Sequence, residues 1–234
     1  MGRLNRNTRD LSIIIPAAGI GRRMKSYGPK PLIELSGFET VLSRQLRILR
    51  ETFPKADIVV VVGYEAERII RTLPLGMRLK VVENERYDET NVLRSIGMGL
   101  RAINHTNVMV IYGDLVFNSE AVTWATSNGS SLLVDTKGQI DEEEVGTTVV
   151  DGRVTNLSYG LDTKWSQIMY LTGRELDLFK RMAWNSDRRM WFGYEALNMV
   201  VDNGGNLRAI EPRGVRVAEI DSSKDIERAR AIIT

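Results

Sequence analysis

The chain has 234 residues, 43% hydrophobic and 26% charged, which is ordinary for a soluble globular protein and enough for one α/β domain. A formal net charge of +2 gives no general attraction to nucleic acid or acidic membranes, and zero cysteines exclude disulfides, thiolate-held zinc and cysteine nucleophiles. One histidine, His105 in the polar run INHTN, cannot build a multi-histidine metal site.

The basic N-terminus MGRLNRNTRD lacks an apolar signal core, so a cytoplasmic protein with a flexible segment over residues 1–10 is expected. Leu11 to Ile15 then reads as a buried strand that ends at Pro16. The small residues Ala17, Ala18, Gly19 and Gly21 follow at once. A loop without bulky side chains lets backbone N–H groups approach a phosphate, and Arg23 and Lys30 add the positive charge a triphosphate needs. Pro29 and Pro31 restrict where Lys30 points. Met24 stands where a dinucleotide-binding turn wants a small residue, and no Gly-Lys-Ser/Thr follows as in a P-loop.

Val41 to Glu51, Glu65 to Thr72 and Val92 to Ala102 carry helical patterns. Ile58 to Val62, Leu79 to Val82 and Val108 to Tyr112 are short apolar strand runs. This alternation predicts a doubly wound, mostly parallel, Rossmann-like open sheet with helices on both faces, in a single domain over 1–234. The acidic run Asp141 to Glu144 reads as a solvated loop. In the second half, Val145 to Val150, the Asp151–Gly152 turn and Val154 to Leu157 read as a hairpin, a small β extension. A capping box from Thr172 to Glu175 opens a helix to Ala183, and another covers Tyr194 to Val201. Strands near Leu207 to Ile210 and Val215 to Ile220 precede a last helix capped by Ser222 and Asp225.

The segment IIIPAAGIGRRMKSYGPKPLIEL resembles the signature of the sugar-phosphate nucleotidyltransferase superfamily, G-x-G-x-R-[MFL] followed by P-K-x-L. The resemblance continues at Asn91 and Ser95 in ETNVLRSIGMGL, at Gly113–Asp114 after VMVIY, and at AEIDSSKDIERA near the end. It implies an Mg²⁺-dependent enzyme that joins a nucleoside triphosphate to a phosphorylated small molecule and releases pyrophosphate. Ala17, Ala18, Gly19, Gly21, Arg23, Asn91, Ser95 and Gly113 would contact the nucleotide; for Asn91 and Ser95 the start of a helix is the alternative reading. Lys30 and Arg23 would be the catalytic cations, and Asp114 and Asp221 the metal ligands. Those two carboxylates would then lie roughly 4–7 Å apart to share one hydrated ion.

The short chain and the segment MWFGYEALNMV resemble the small phosphocholine-cytidylyltransferase-like branch. That implies CTP as donor and a phosphocholine-, phosphoethanolamine- or phosphonate-like acceptor held by Tyr170, Trp191, Tyr194 and Glu195, with Phe192 beside them. Aromatic faces next to a carboxylate suit a cationic head group. The alternative is a sugar 1-phosphate with UTP, dTTP or CTP. Outside this class stand a nucleotide-sugar glycosyltransferase, which would carry an Asp-x-Asp pair where this chain has Gly113–Asp114–Leu115–Val116, and a non-catalytic nucleotide-binding regulator. No nucleic-acid or membrane partner is expected, and a homodimer stays open.

Overall fold

A computed structural model describes residues 10–74, 76, 78–124, 129–138 and 140–233; the segment expected to be flexible therefore lies, apart from Asp10, outside the described residues. The first half runs β1 (Leu11–Ala17), β2 (Glu34–Ser36), β3 (Glu39–Thr40), α1 (Val41–Thr52), β4 (Asp57–Val62), α2 (Ala66–Thr72), β5 (Leu79–Glu83), α3 (Val92–Arg101), β6 (Asn107–Ile111), β7 (Leu115–Phe117) and α4 (Glu120–Thr123). The second half runs β8 (Ser131–Asp135), β9 (Val145–Val150), β10 (Arg153–Tyr159), β11 (Thr163–Thr172), α5 (Gly173–Ala183), α6 (Gly193–Asp202), β12 (Arg208–Ile210), β13 (Val217–Glu219) and α7 (Ser223–Ile233).

β1 is buried along its whole length because both its faces are covered. Its side chains alternate: Ile13 and Ile15 pack with Leu42, Leu46 and Leu49 of α1, while Ile14 packs with Leu93, Ile96 and Leu100 of α3. A third, smaller core joins Met24, Val116, Ala218, Ile226 and Ile232, and so seats the β7–β13 ribbon and α7 against the loop after β1.

The sheet corrects the expected open, mostly parallel, doubly wound architecture. β5-β4-β1-β6 form a parallel run, β11 adds antiparallel to β6, and beyond it only the pair β8–β12 is parallel among the described strands. From there the order β11-β8-β12-β10-β9 returns to β11, which closes a mixed five-stranded barrel. β11 is long enough to serve both parts. Its Thr163 and Lys164 pair with β9, and Ile168 to Thr172 pair with β6. The expected hairpin is present as the antiparallel pair β9–β10, but periodicity does not mark longer-range partners, and the contacts of β9 with β11 and of β12 with β8 and β10 arise only in the closed barrel.

One local expectation also changes. Thr172 precedes α5 without capping it: its Oγ1 donates to Asn107 Oδ1 (2.7 Å), and Glu175 instead accepts from Asn206 N (3.0 Å). The acidic run is an exposed loop over Asp141 to Glu143, as expected, with Glu143 paired to Arg23 and Glu144 to Lys164. His105 is structural, its Nδ1 2.9 Å from Ser12 Oγ. Among the described residues no helix is long and apolar enough to cross a membrane.

Candidate active site

The carboxyl ends of β1 and β6 lie side by side, where an α/β sheet places its ligands. The turn after β6 is pinned from α1 by the buried Gln45, whose Nε2 donates to the carbonyls of Tyr112 (3.0 Å) and Leu115 (2.7 Å). Gly113 N donates to Pro16 O (3.1 Å), and a Cβ at Gly113 would stand 2.8 Å from that oxygen, so only glycine permits this approach. After β1, Gly21 adopts a left-handed φ of 59°, and Met24 N donates back to Gly21 O (2.7 Å). The buried Met24 side chain anchors the loop in the third core, which leaves Gly19 exposed.

These turns open into a cleft of about 670 Å³. Ala17, Ala18, Gly19, Gly21, Arg23 and Lys30 line one side, and Asn91, Ser95, Gly113, Asp114 and Asp221 also face it. Asn91 additionally caps α3, its Oδ1 accepting from Val92 N (2.8 Å). Ser95 Oγ accepts from the buried Asn84 amide (3.1 Å). Tyr194 lies in the wall with Phe192 and Tyr159: Phe192 stacks on Tyr194 at 5.9 Å, and Tyr159 meets Tyr194 edge-on at 5.7 Å.

Three expected acceptor residues do not line the cleft. Tyr170 is buried in the first core with its hydroxyl donating to Asn107 Oδ1 (3.2 Å). Trp191 packs on the second core beneath Arg188, whose guanidinium carbon is 4.4 Å from the ring centroid. Glu195 accepts from Phe192 N (2.7 Å) and so closes the N-terminus of α6.

Asp114, Glu219 and Asp221 each offer a carboxylate oxygen, and the three lie within 4.8 Å of one another. The ammonium of Lys30 sits among them, bonded to Asp114 Oδ2 (3.0 Å) and to Asp221. Burial alone would lower the Lys30 pKa, but Asp114 and Asp221 outweigh it and hold the amine above its ordinary value. Asp221 responds in the opposite sense: burial would raise it, yet the Lys30 charge and hydrogen bond hold it below the usual carboxylate range. Glu219 is pushed up to about 9, first by burial and then by the neighbouring Asp114 and Asp221 charges. A cluster of carboxylates that already surrounds one cation is the oxygen-rich donor set that Mg²⁺ prefers, so the residues fit a divalent ion.

Glu219 and Gln167 are site residues that sequence reasoning missed. Glu219 had a signal, since in AEID it precedes Asp221 by two positions and period-2 alternation turns both to one side. Gln167 had none: it interrupts an apolar strand, donates from Nε2 to Glu219, and has a left-handed φ of 56°. That conformation costs an L-residue about 1–2 kcal/mol.

Residues 13–132 match the MobA-like NTP transferase domain family. The chain belongs to that family. This NTP transferase domain is 27% identical over 232 residues to the bifunctional IPC transferase and DIPP synthase of Rubrobacter xylanophilus, covering 93% of this chain and 50% of the relative. The chain spans half or less of the length of the curated relatives it first matches. Among solved structures, its fold is similar to the inositol-1-phosphate CTP transferase from T. maritima (TM-score 0.76, 20% identity, 95% of each chain). It is also similar to the nucleoside-diphosphate-sugar pyrophosphorylase from Vibrio cholerae (TM-score 0.70, 15% identity, 94% of this chain and 99% of that one).

Proposed function

We propose that this NTP transferase domain transfers a nucleotidyl group from a nucleoside triphosphate to the phosphate of a small molecule. One observation carries this: Lys30 and three carboxylates meet in the same cleft as the glycine loop Ala17–Arg23. An acceptor phosphate oxygen attacks the α-phosphorus, the bond to the β-phosphate oxygen breaks, and pyrophosphate leaves with that electron pair. The acceptor is already anionic near neutral pH, so no general base is required, which suits a cleft without histidine. Catalysis is then positioning and charge stabilisation. The backbone of Ala18 to Gly21, with Arg23, holds the β- and γ-phosphates, while Asn91, Ser95 and Gly113 face the nucleoside. Lys30 neutralises the α-phosphate. Asp114, Asp221 and Glu219 would hold Mg²⁺, whose charge, when bound, polarises the phosphoryl oxygens.

For the acceptor, a sugar 1-phosphate or a similarly hydroxylated phosphate comes first. The inositol-1-phosphate, glucose-1-phosphate and nucleoside-diphosphate-sugar enzymes that share this fold support that choice by their number. The second reading keeps two supports: a CTP:phosphocholine cytidylyltransferase from Streptococcus pneumoniae also shares this fold, and the ring faces of the Phe192–Tyr194–Tyr159 cluster suit a quaternary ammonium. A pyrophosphate-release screen of four NTPs against sugar 1-phosphates, inositol 1-phosphate and phosphocholine tests both. Turnover confined to phosphocholine with CTP would reverse the order, and no release with any pair would remove the transfer activity itself.

A further inference from the structure

Among the described residues three non-glycine positions have a left-handed φ: Glu65, Asp151 and Gln167. Glu65 stands immediately before α2 and Asp151 in the β9–β10 turn, where such conformations are common. Gln167 lies inside a strand. There the register of β11 against β8 slips between Trp165 and Met169, and its partner changes from β9 to β6. A bend that only had to carry the strand from barrel to sheet would be served by glycine, which takes this φ without strain. This chain keeps a long amide instead, flanked by the buried Ser166 and Ile168, and the amide reaches the cleft and donates to Glu219. Strain held at one residue beside a charged site is a mark of function when its side chain has a defined partner.

We propose that Gln167 is a positioning residue: the bulge in β11 delivers its amide to Glu219 and fixes that carboxylate toward Asp114 and Asp221. This rests on the cation-binding role of the three carboxylates. Outer partners of metal ligands typically alter metal affinity about 10–100-fold when removed. The test is Mn²⁺ binding to the full chain without nucleotide, by calorimetry, together with the melting temperature. Gln167→Gly relieves the backbone and removes the amide, so it should melt no lower than the parent yet bind Mn²⁺ about 10-fold more weakly. Gln167→Asn tolerates the same φ but is one methylene too short to reach Glu219, and should show the same loss. In a Glu219→Ala background, Gln167→Gly should change nothing further. Unchanged Mn²⁺ affinity in both single variants, or an equal loss in the Glu219→Ala background, overturns the positioning role and leaves the carboxylate cluster standing. A parent chain that does not bind Mn²⁺ overturns the cluster's cation role, and this inference with it.

Discussion

Lys30 is the side chain on which the site's electrostatics turn. Its ammonium is largely shielded from water and balances Asp114 and Asp221 at close range. A charge placed this way acts most strongly when the α-phosphate is most negative, so Lys30→Ala should lower kcat by about 100-fold with a smaller change in KM. Steady-state kinetics with a competent acceptor decide it, and a kcat within a few-fold of the parent would remove Lys30 from the chemistry. Asp114→Asn and Asp221→Asn should each abolish metal-dependent turnover with little change in melting temperature, because neither side chain supports a core. Retained turnover in either variant argues against a shared ion. The meeting of Asp114 and Asp221 beside the glycine loop is legible through the resemblance of GD and EID to nucleotidyltransferase motifs, helped by the strand-like runs VMVIY and VAEI that precede them. Gln167 is not legible, because a single strained φ leaves no mark on composition or periodicity.

Among the elements, α7 shows how local chemistry supports the site. Asp225 Oδ2 accepts from Asp221 N (3.1 Å), Ser222 N (2.7 Å) and Ser222 Oγ (2.9 Å), so one carboxylate starts the helix and holds the Asp221 turn. Asp225→Ala should destabilise the protein by about 1 kcal/mol, which is roughly 2–4 °C in melting temperature for a chain this size. An unchanged melting curve would mean that water replaces those bonds without loss. This cap is readable from Ser222-x-x-Asp225, whereas the similar spacing at Thr172 and Glu175 misleads. There the nearby Asn107 and Asn206 compete for the same groups, and tertiary contacts override the local pattern.

At the scale of the whole molecule, the alternation of strands and helices is visible in the sequence, and the closing of the sheet is not. Closure depends on β9 meeting β11, and short alternating runs carry no label for so particular a partner. Because β11 is common to both parts, the chain is expected to unfold as one cooperative unit, with calorimetric and van't Hoff enthalpies in agreement. Two separate transitions would contradict that. The cleft draws Lys30 and Asp114 from the parallel side and Tyr159 and Trp165 from barrel strands, so a ligand that fills it touches both. Magnesium with a good NTP at about 100 times its Kd should therefore stabilise the fold by about 2.7 kcal/mol. Thermal shift measurements should show more stabilisation than either component gives alone. The same continuous strand has a mechanical consequence: among the described residues the two walls of the cleft are tied together by β11 itself, so a movement of one wall is transmitted to the other. In the proposed transfer, an incoming triphosphate would meet the rim at Arg23 and the Glu143 carboxylate. Their ion pair is exposed on both sides, at 58% and 75%, and an incoming triphosphate can break it at little cost.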